Sequence, residues 1–262
     1  EPGRRVGTNP SNIVIAARVV GHVLLGAGLV AAGDRLGRRA FAIGALAPAA
    51  TAVWLFANVG TVVDGGDGGA ITQRIEWAPS LGLGLDLRVD AFAAVMLALI
   101  SVIGVAVCLY AVAYFGPSKP GLGRLGGLLV IFAGAMTGVV VSDHLLALFV
   151  FWELTSVTSY LLIGNDDTNP RARDAATSAI LITGAGGLAM LAGLIMLGQA
   201  AGTYRLSELA AAFDGDASTA IGVGSVVLVL LGAFTKSAQW PFLGWLRGAM
   251  VAPTPVITEG GG

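Results

Sequence analysis

The feature that most constrains this chain is a succession of apolar segments, each about as long as a membrane crossing. A membrane-spanning helix needs about 20 mostly apolar residues, and windows of that size predict seven full spans. Only 12% of the 262 residues are charged, against about 25% in soluble domains. We therefore predict an all-α, polytopic transmembrane helix bundle. The predicted spans are 13–33, 40–63, 91–115, 122–142, 144–163, 175–200 and 219–239.

The last segment of the chain, residues 240–262, is predicted to be too short and too interrupted to span. It contains Pro241, Pro253 and Pro255, and proline removes a backbone donor and breaks helices. We treat residues 1–262 as a single membrane domain that ends in this incomplete eighth segment.

The longest connection, residues 64–90, is predicted to form a β-hairpin on the outer face. The stretches ITQRIEW and LGLDLRV alternate apolar and polar residues, as a half-buried strand does. Its acids suggest a solvated cap, with a cation-attracting funnel as the alternative; they are Asp64, Asp67, Glu76, Asp86 and Asp90. Residues 201–218 have the apolar spacing of a short amphipathic helix at the membrane interface.

The basic residues of the loops predict an orientation. Seven lie in the first, third and fifth connections: Arg35, Arg38, Arg39, Lys119, Arg124, Arg171 and Arg173. Five lie on the other side, spread over longer segments: Arg4, Arg5, Arg74, Arg88 and Arg205. Because basic residues favour the cytoplasmic side, we predict that the N-terminus is outside.

Several functional classes find no support in the sequence. No basic patch with interleaved aromatics predicts nucleic-acid binding, and no phosphate loop, cofactor cluster or nucleophile triad predicts an enzyme. Cys108 is the only cysteine, and we interpret it as a packing residue. His22 and His144 are isolated, so we expect packing for His22 and an interfacial position for His144. We expect no metal and no cofactor.

Two ionisable residues lie within apolar segments, Glu153 in FVFWELTSVTSYLLIG and Lys236 in LVLLGAFTKSAQWPF. A charged side chain at the centre of a bilayer costs about 2.5–3.5 kcal/mol on insertion scales. An acid and a base kept at that depth indicate an ion or proton path, and a structural ion pair is the alternative. A Glu–Lys pair whose separation changes could switch the lysine between its charged and neutral forms.

Neighbouring residues could support that path. Five hydroxyls are candidates for a proton relay, although hydroxyls also bond to helix carbonyls as plain packing: Thr155, Ser156, Thr158, Ser159 and Ser237. Pro241 disfavours helix for the residue before it, so we predict that the seventh helix breaks just after Lys236. Broken helices near mid-membrane recur at transporter ion sites.

The stretches SDHLLALFVFWELTSVTSYLLIG (142–164) and LLGAFTKSAQWPFLGWLRGAMVAPTPV (230–256) resemble a known proton-translocating module. It is shared by Mrp-type Na⁺/H⁺ antiporters and antiporter-like subunits of respiratory complex I. The sequences FWELTS and AFTKSAQ, and RVDAFAAVMLALI after the hairpin, are more similar to the Mrp A subunit than to the complex I subunits. The resemblance covers most of residues 13–256.

The resemblance implies specific roles. Glu153 matches the family's essential glutamate and Lys236 its essential lysine on a broken helix, which together move protons through a half-channel. It also implies a bacterial plasma membrane, other Mrp-type subunits as partners, and exchange of Na⁺ for H⁺ across the lipid bilayer. A proton-pumping subunit of an NADH:quinone oxidoreductase-type complex is the alternative.

The chain departs from the family pattern near its end. Leu243 stands where the family usually has His, and Arg247 stands where it usually has Pro. After Val256 the chain reads ITEGGG and stops. These departures suggest a truncated copy, a disrupted one or an incomplete gene model, so an inactive fragment is a third hypothesis.

Overall fold

In a computed structural model of the chain, the described residues are 14–63, 69–78, 83–116, 119–213, 220–250 and 252–253. Most of these residues are helical, as predicted. The elements are α1 (Val14–Ala32), α2 (Arg39–Gly44), α3 (Leu46–Val63), β1 (Ile71–Ala78), β2 (Leu83–Val89), α4 (Ala91–Tyr114), α5 (Leu122–Val141), α6 (Leu145–Ile163), α7 (Pro170–Ala201), α8 (Leu206–Ala212), α9 (Ala220–Lys236) and α10 (Gly244–Ala249). Arg4, Arg5, Asp64, Asp67 and the end beyond Pro253 lie outside the described residues.

The described part of the chain contains six helical segments that are long and apolar enough to cross a membrane. They are α1, α2 with α3, α4, α5, α6 and α7. The seventh predicted span is shorter than expected, because α9 has 17 residues and ends at Lys236. The predicted all-α polytopic bundle is therefore confirmed, with six full spans and one shorter apolar helix.

The second span is divided at Ala45, between α2 and α3. Pro48 lies in the first turn of α3 and has no N–H to donate to the carbonyl of Gly44, four residues earlier. One helical hydrogen bond is therefore missing within the predicted span, 40–63, while the backbone at Ala45 keeps helical dihedral angles (φ −60°, ψ −18°). Both parts are apolar, so the segment still qualifies as one crossing of 25 residues.

Helix α5 is the centre of the bundle. In an apolar stretch of 18 residues of α5, 72% is buried inside the protein, against 28–39% in the corresponding stretches of the other five spans. Helix α1 packs along one side of it and α6 along the other. Helix α7 then packs against α6 and α9, while α10 folds back onto α7. The order α1–α5–α6–α7–α9 places Glu153 on α6 and Lys236 on α9, the two helices that flank α7 at one end of the row.

The predicted hairpin is present, with β1 and β2 paired antiparallel from Ile71↔Val89 to Ile75↔Leu85. Leu87 and Val89 are fully buried in a cluster with apolar residues of α1, α3, α4 and α5. On the other strand, Gln73 accepts a 3.0 Å hydrogen bond from the backbone N–H of Ala16. This N–H lies in the first turn of α1, where no helical partner exists, so the hairpin caps α1.

The expectation of a solvated acidic cap is wrong for Asp86. Its side chain is only 11% exposed and pairs with Arg74 at 3.4 Å and with Arg205 at 3.3 Å. Asp90 accepts from the backbone N–H of Ala93 at 2.9 Å and thus caps α4. Both carboxylates link the hairpin to the helices. Their hydrogen-bond donors are arginine side chains for Asp86 and a backbone N–H at the start of α4 for Asp90.

Cys108 and His22 are both buried, as expected for packing residues. A Cβ on Gly134 would lie 2.5 Å from His22 Cβ, so this glycine makes room for the histidine between α1 and α5. His144 is the N-cap of α6, accepting from the N–H of Leu146 at 3.3 Å. The predicted interfacial helix within 201–218 is α8.

Candidate functional site

Helix α6 is polar on its inner face and apolar on its outer face. The hydroxyl residues Thr155, Ser156 and Thr158 are each at most 3% exposed, whereas Val150 and Val157 are 61% and 45% exposed. A soluble helix has the opposite arrangement. The inner hydroxyls therefore form a polar strip within the bundle, facing α5, α7 and α9.

Lys236 ends on this polar strip. Its Nζ donates to Thr155 Oγ1 at 2.6 Å and to Ser156 Oγ at 2.8 Å. The hydroxyl of Thr155 in turn donates to the carbonyl of Trp152 at 2.6 Å, which leaves its lone pairs for the lysine. The Trp152 ring lies 5.5 Å from Nζ, within cation–π range. Among the described residues, the groups that directly contact the ammonium are therefore neutral.

The backbone of α9 ends at the lysine. The N–H groups of Ala238 and Gln239 return to the carbonyls of Thr235 at 3.4 Å and Phe234 at 3.0 Å. This is the hydrogen-bond pattern of a Schellman C-cap, and Ala238 occupies its left-handed position with φ 49°. A cation in the last helical turn also interacts favourably with the helix dipole.

Pro241 lies in the turns between α9 and α10, five positions after the last helical residue. The helix has therefore already ended when the chain reaches the proline. Helix α10 then folds back, and Trp245 Nε1 donates to the carbonyl of Thr235 at 2.9 Å. This bond gives the Thr235 carbonyl a second and shorter hydrogen bond, beside the one from the N–H of Ala238.

Glu153 lies near the middle of α6 but does not contact Lys236 directly. No hydrogen bond or ion pair joins the two side chains within the described residues, although they interact electrostatically. Glu153 Oε1 is buried and has no hydrogen-bond partner there. It points at α7, where a Cβ on Gly187 would overlap it. One carboxylate oxygen is thus an open acceptor inside the bundle.

Glycines of α7 create the space for these polar side chains. A Cβ on Gly186 would overlap Thr235 Oγ1, one residue before the lysine. On the facing helix, a Cβ on Gly232 would lie 2.6 Å from Met190 Cβ and 2.7 Å from the carbonyl oxygen of Gly186. Small residues allow such close approach of membrane helices. The pair Gly186–Gly187 is a signal for the site that could have been read from the sequence and was missed.

The structure separates the predicted relay residues into two groups. Thr155 and Ser156 bond Lys236, and Ser159 lines a small cavity beside it. Thr158 donates to the carbonyl of Leu154 at 2.7 Å, and Ser237 donates to the carbonyl of Ala233 at 2.8 Å. These last two hydroxyls bond to helix carbonyls and do not contact the lysine.

A second polar cluster lies at the hairpin end of the bundle, around Asp86 and Arg205. His144 stacks on Tyr204 there, with ring centroids 5.9 Å apart. Burial lowers the pKa of His144 from its ordinary value of 6.5, and the nearby Asp86 and Asp143 oppose that shift. A neutral His144 keeps Nδ1 free to accept from the N–H of Leu146, so it can cap α6 at neutral pH.

Among the residues that the structure describes, no group of three or more His, Cys, Asp or Glu side chains could hold a metal ion. The polar groups around Glu153 and Lys236 are one carboxylate, one ammonium and several hydroxyls. This set can bind and pass protons without a resident metal.

Two families match separate parts of the chain, and together they cover more than half of it. Residues 142–258, which include both ionisable residues, match the family described as “NADH:quinone oxidoreductase/Mrp antiporter, TM”. Residues 77–124 match the family described as “NADH-Ubiquinone oxidoreductase (complex I), chain 5 N-terminus”.

Individual relatives are similar over most of the chain. The A/B subunit of a probable K⁺/H⁺ antiporter from Rhizobium meliloti (strain 1021) is 50% identical over 189 residues, 72% of this chain and 19% of the relative. The A subunit of the Na⁺/H⁺ antiporter from Alkalihalophilus pseudofirmus is 42% identical over 189 residues, 72% of this chain and 24% of the relative. The chain thus spans about a fifth to a quarter of the length of these curated relatives.

A solved structure has the same fold. A chain in the structure of the Mrp complex from Dietzia sp. DQ12-45-1b superposes with a TM-score of 0.73 at 32% identity, covering 92% of this chain and 26% of that one. The family matched over residues 142–258 contains the segments of Glu153 and Lys236, and the named relatives are A or A/B subunits of antiporters. The chain belongs to the NADH:quinone oxidoreductase/Mrp antiporter family of membrane subunits, as a member of the Mrp-type antiporter A-subunit branch.

Proposed function

We propose that this chain forms part of a monovalent cation/proton antiporter, and that Glu153 and Lys236 carry its proton step. The observation that carries the proposal is the separation of the two charges. Lys236 is held by the hydroxyls of Thr155 and Ser156 while a Glu153 oxygen remains without a hydrogen-bond partner. A structural ion pair would instead join the two groups directly.

The separation matters because a proton carrier must be able to release its proton. Neutral hydroxyls stabilise an ammonium less than a carboxylate does, so Lys236 is not locked in its charged form. Movement of the Glu153 carboxylate toward Lys236 would stabilise the charged form of the lysine. Its return toward Gly187 would make that charged form less stable. The two positions of one side chain could therefore switch the protonation of the other.

The exchanged cation and the partners follow from the relatives. Their names include both Na⁺/H⁺ and K⁺/H⁺ antiporters, and we propose Na⁺ for this chain. We also propose that it works with other members of an Mrp-type complex in a bacterial plasma membrane, with its N-terminus outside. That orientation rests on the positive-inside rule and places the α6–α7 connection in the cytoplasm.

The alternative is a proton-pumping component of an NADH:quinone oxidoreductase-type complex, which the two family descriptions favour. The two functions differ in what drives the proton. An antiporter moves protons when a cation gradient is applied, whereas the alternative requires electron transfer to quinone. The same vesicle preparation can be tested with cation alone and with NADH alone.

The test is cation-dependent dissipation of ΔpH in everted vesicles from an antiporter-deficient host. The substitutions are made in the full-length protein, expressed with the rest of the complex. Lys236→Met keeps the length of the side chain without its charge, and Glu153→Gln keeps the shape without the proton. Both should lower exchange at least about 100-fold, the lower range for loss of an acid–base group.

Glu208→Gln is the matched control, because Glu208 is an exposed acid in α8 that bonds only Thr203 and Arg205 in the described residues. It should exchange at the wild-type rate. Wild-type exchange by Lys236→Met, with normal assembly of the complex, would show that the Glu–Lys pair is structural and that the proton takes another route.

A further inference from the structure

Four charged side chains line one vestibule between the α4–α5 and α6–α7 connections. Lys119 and Arg124 come from the first connection and the start of α5, and Asp166 and Asp167 come from the second. The vestibule has a volume of about 790 Å³. Among the described residues, none of the four forms an ion pair. Two positive and two negative charges thus border the same space without closing it.

Most of the hydrogen-bonding capacity of these four groups is unused. Asp166 accepts one hydrogen bond, from the hydroxyl of Thr168 at 2.7 Å. In the part of the chain that the structure describes, the side chains of Asp167 and Arg124 have no hydrogen-bond partner. A carboxylate offers about four acceptor positions and a guanidinium carries five donors. A bound molecule can therefore use groups that the protein itself leaves unbonded.

The vestibule lies at the level of the lipid headgroups. It is situated where α4 ends at Tyr114, α5 begins at Leu122 and α6 ends at Ile163. The ends of spanning helices lie where the hydrocarbon core gives way to headgroups. Tyr110 and Tyr114 are 47% and 46% exposed at this end of α4, and tyrosine is enriched at that level.

The charges fit a headgroup that carries both signs. An arginine can bond a phosphate through two parallel hydrogen bonds, and basic pockets between membrane helices bind lipid headgroups. A purely anionic headgroup would lie beside the carboxylates of Asp166 and Asp167 without a cation for them. A primary ammonium supplies three N–H donors for those carboxylates. A phosphoethanolamine headgroup combines the phosphate with such an ammonium.

We propose that the vestibule binds one phosphatidylethanolamine molecule, with its phosphate on Lys119 and Arg124 and its ammonium on Asp166 and Asp167. Its acyl chains leave the vestibule past Tyr114, an exposed lining residue. The site depends on the fold and on these four charges, and not on cation exchange or on the orientation of the chain in the membrane.

The test is photolabelling of the full-length protein in its assembled complex. Phosphatidylcholine vesicles carry a small fraction of phosphatidylethanolamine with a diazirine in its acyl chain, and mass spectrometry locates the label. We expect label on residues 110–124 and on Met250, which also lines the vestibule. Choline has no N–H donors, so the protein should prefer ethanolamine about tenfold. Replacing half of the phosphatidylcholine with unlabelled phosphatidylethanolamine should then lower the labelling about fivefold.

Variants on both sides of the vestibule separate binding from general surface charge. Arg124→Gln and Asp167→Asn should each lower the labelling about fivefold, because each removes a charge-assisted hydrogen bond. Arg171→Gln and Asp174→Asn are the matched controls, since both residues are exposed near the start of α7 and do not line the vestibule. Both controls should be labelled like the wild type. Equal losses in Arg171→Gln and Arg124→Gln would overturn the proposal.

Three other results would also contradict it. Label confined to other segments would mean that protein fills the vestibule in the assembled complex. Equal competition by phosphatidylglycerol would show that the site selects phosphate without the ammonium. Equal competition by free phosphoethanolamine would identify a site for a soluble molecule. Because labelling does not require exchange, it can fail while Lys236→Met still supports the proposed function, and the reverse also holds.

Discussion

Two helix contacts in this molecule use glycine for different purposes. Where α1 crosses α5, a Cβ on Gly26 would lie 2.6 Å from the carbonyl oxygen of Gly127 and 2.5 Å from a side-chain carbon of Ile131. Where α7 meets α6 and α9, Gly186 and Gly187 face Thr235 and Glu153 instead. Both contacts bring backbone close to backbone, the second at Gly232, but only at Gly186 and Gly187 does a missing Cβ make room for the polar side chains of the site.

The difference shows how the fold can hold a charge inside an apolar bundle. At the α1–α5 contact, the glycines gain dispersion energy by close packing, which drives helix association in lipid. At the α7 contact, the absence of a Cβ on the glycines leaves space for the Glu153 carboxylate and the Thr235 hydroxyl. We infer that substitutions in the first contact change stability, whereas substitutions in the second change exchange.

The strongest way to break this comparison is Gly187→Ala. The added methyl would overlap Glu153 Oε1, so the carboxylate must leave its position. We expect exchange to fall by more than about tenfold, because small displacements of reacting groups can cost about 100-fold. The measurement is ΔpH dissipation per assembled complex in everted vesicles.

Gly184→Ala is the matched control on the same helix, since a Cβ there meets nothing within 4 Å. It should leave exchange unchanged. Equal exchange by Gly187→Ala and Gly184→Ala would mean that the position of Glu153 beside Gly187 has no role in transport.

The opposite result is expected for Gly26→Ala. Its Cβ would meet backbone that cannot move aside easily, and overpacking of this kind costs about 1–3 kcal/mol. We expect a lower apparent Tm and less assembled complex, with normal exchange per complex that forms. Gly28→Ala, in open space on the same helix, should keep or slightly raise the Tm, because alanine is the better helix former; a similar loss of Tm in both variants would show that the close approach at the α1–α5 crossing does not decide the effect.

The sequence predicted which segments span the membrane better than it predicted which residues contact each other. Length and apolarity were enough for the spans, and alternation was enough for the hairpin. Pro241 predicted a break just after Lys236, where α9 ends, but the left-handed C-cap at Ala238 had no signal of its own, because that position usually holds glycine. The break between α2 and α3 did have a signal in Pro48, which removes a helical donor.

The site shows the same limit. Glu153 and Lys236 stand out as charges in apolar segments, so the sequence identified them. Their separation depends on how α6 and α9 are rotated against each other, which no local pattern reports. Similarly, Asp86 bonds Arg205 from 119 positions away, so its use as a buried link could not be read from the acidic composition of its loop.

A finer comparison lies within α6, between two threonines one turn apart. Thr155 accepts from Lys236 at 2.6 Å, whereas Thr158 bonds only helix carbonyls. We expect Thr155→Val to lower exchange about tenfold, the effect of losing about 1.4 kcal/mol of hydrogen-bond energy to a charged group. Thr158→Val serves as the control and should stay within about twofold of wild type. Exchange rates in matched vesicles decide between them, and a larger loss in Thr158→Val would reverse the roles we assign.

The smallest expected effect concerns the strand that connects the two contacts. In β2, Leu87 packs against apolar residues of α1, α3, α4 and α5, while Asp86 bonds Arg205, the N-cap of α8, after the end of α7. Asp86→Asn removes the charge of a nearly buried acid, and its arginine partners are partly exposed, so we expect a stability loss of only about 1 kcal/mol. Exchange per complex should be unchanged, because the link lies beside the start of α6 and contacts neither Glu153 nor Lys236. Asp90→Asn is the control: asparagine caps a helix as well as aspartate does, and the lost pair with Arg88 is exposed, so its Tm should match wild type. An altered exchange rate in Asp86→Asn, at equal assembly, would show that the hairpin couples the two contacts and that their separation into stability and transport is incomplete.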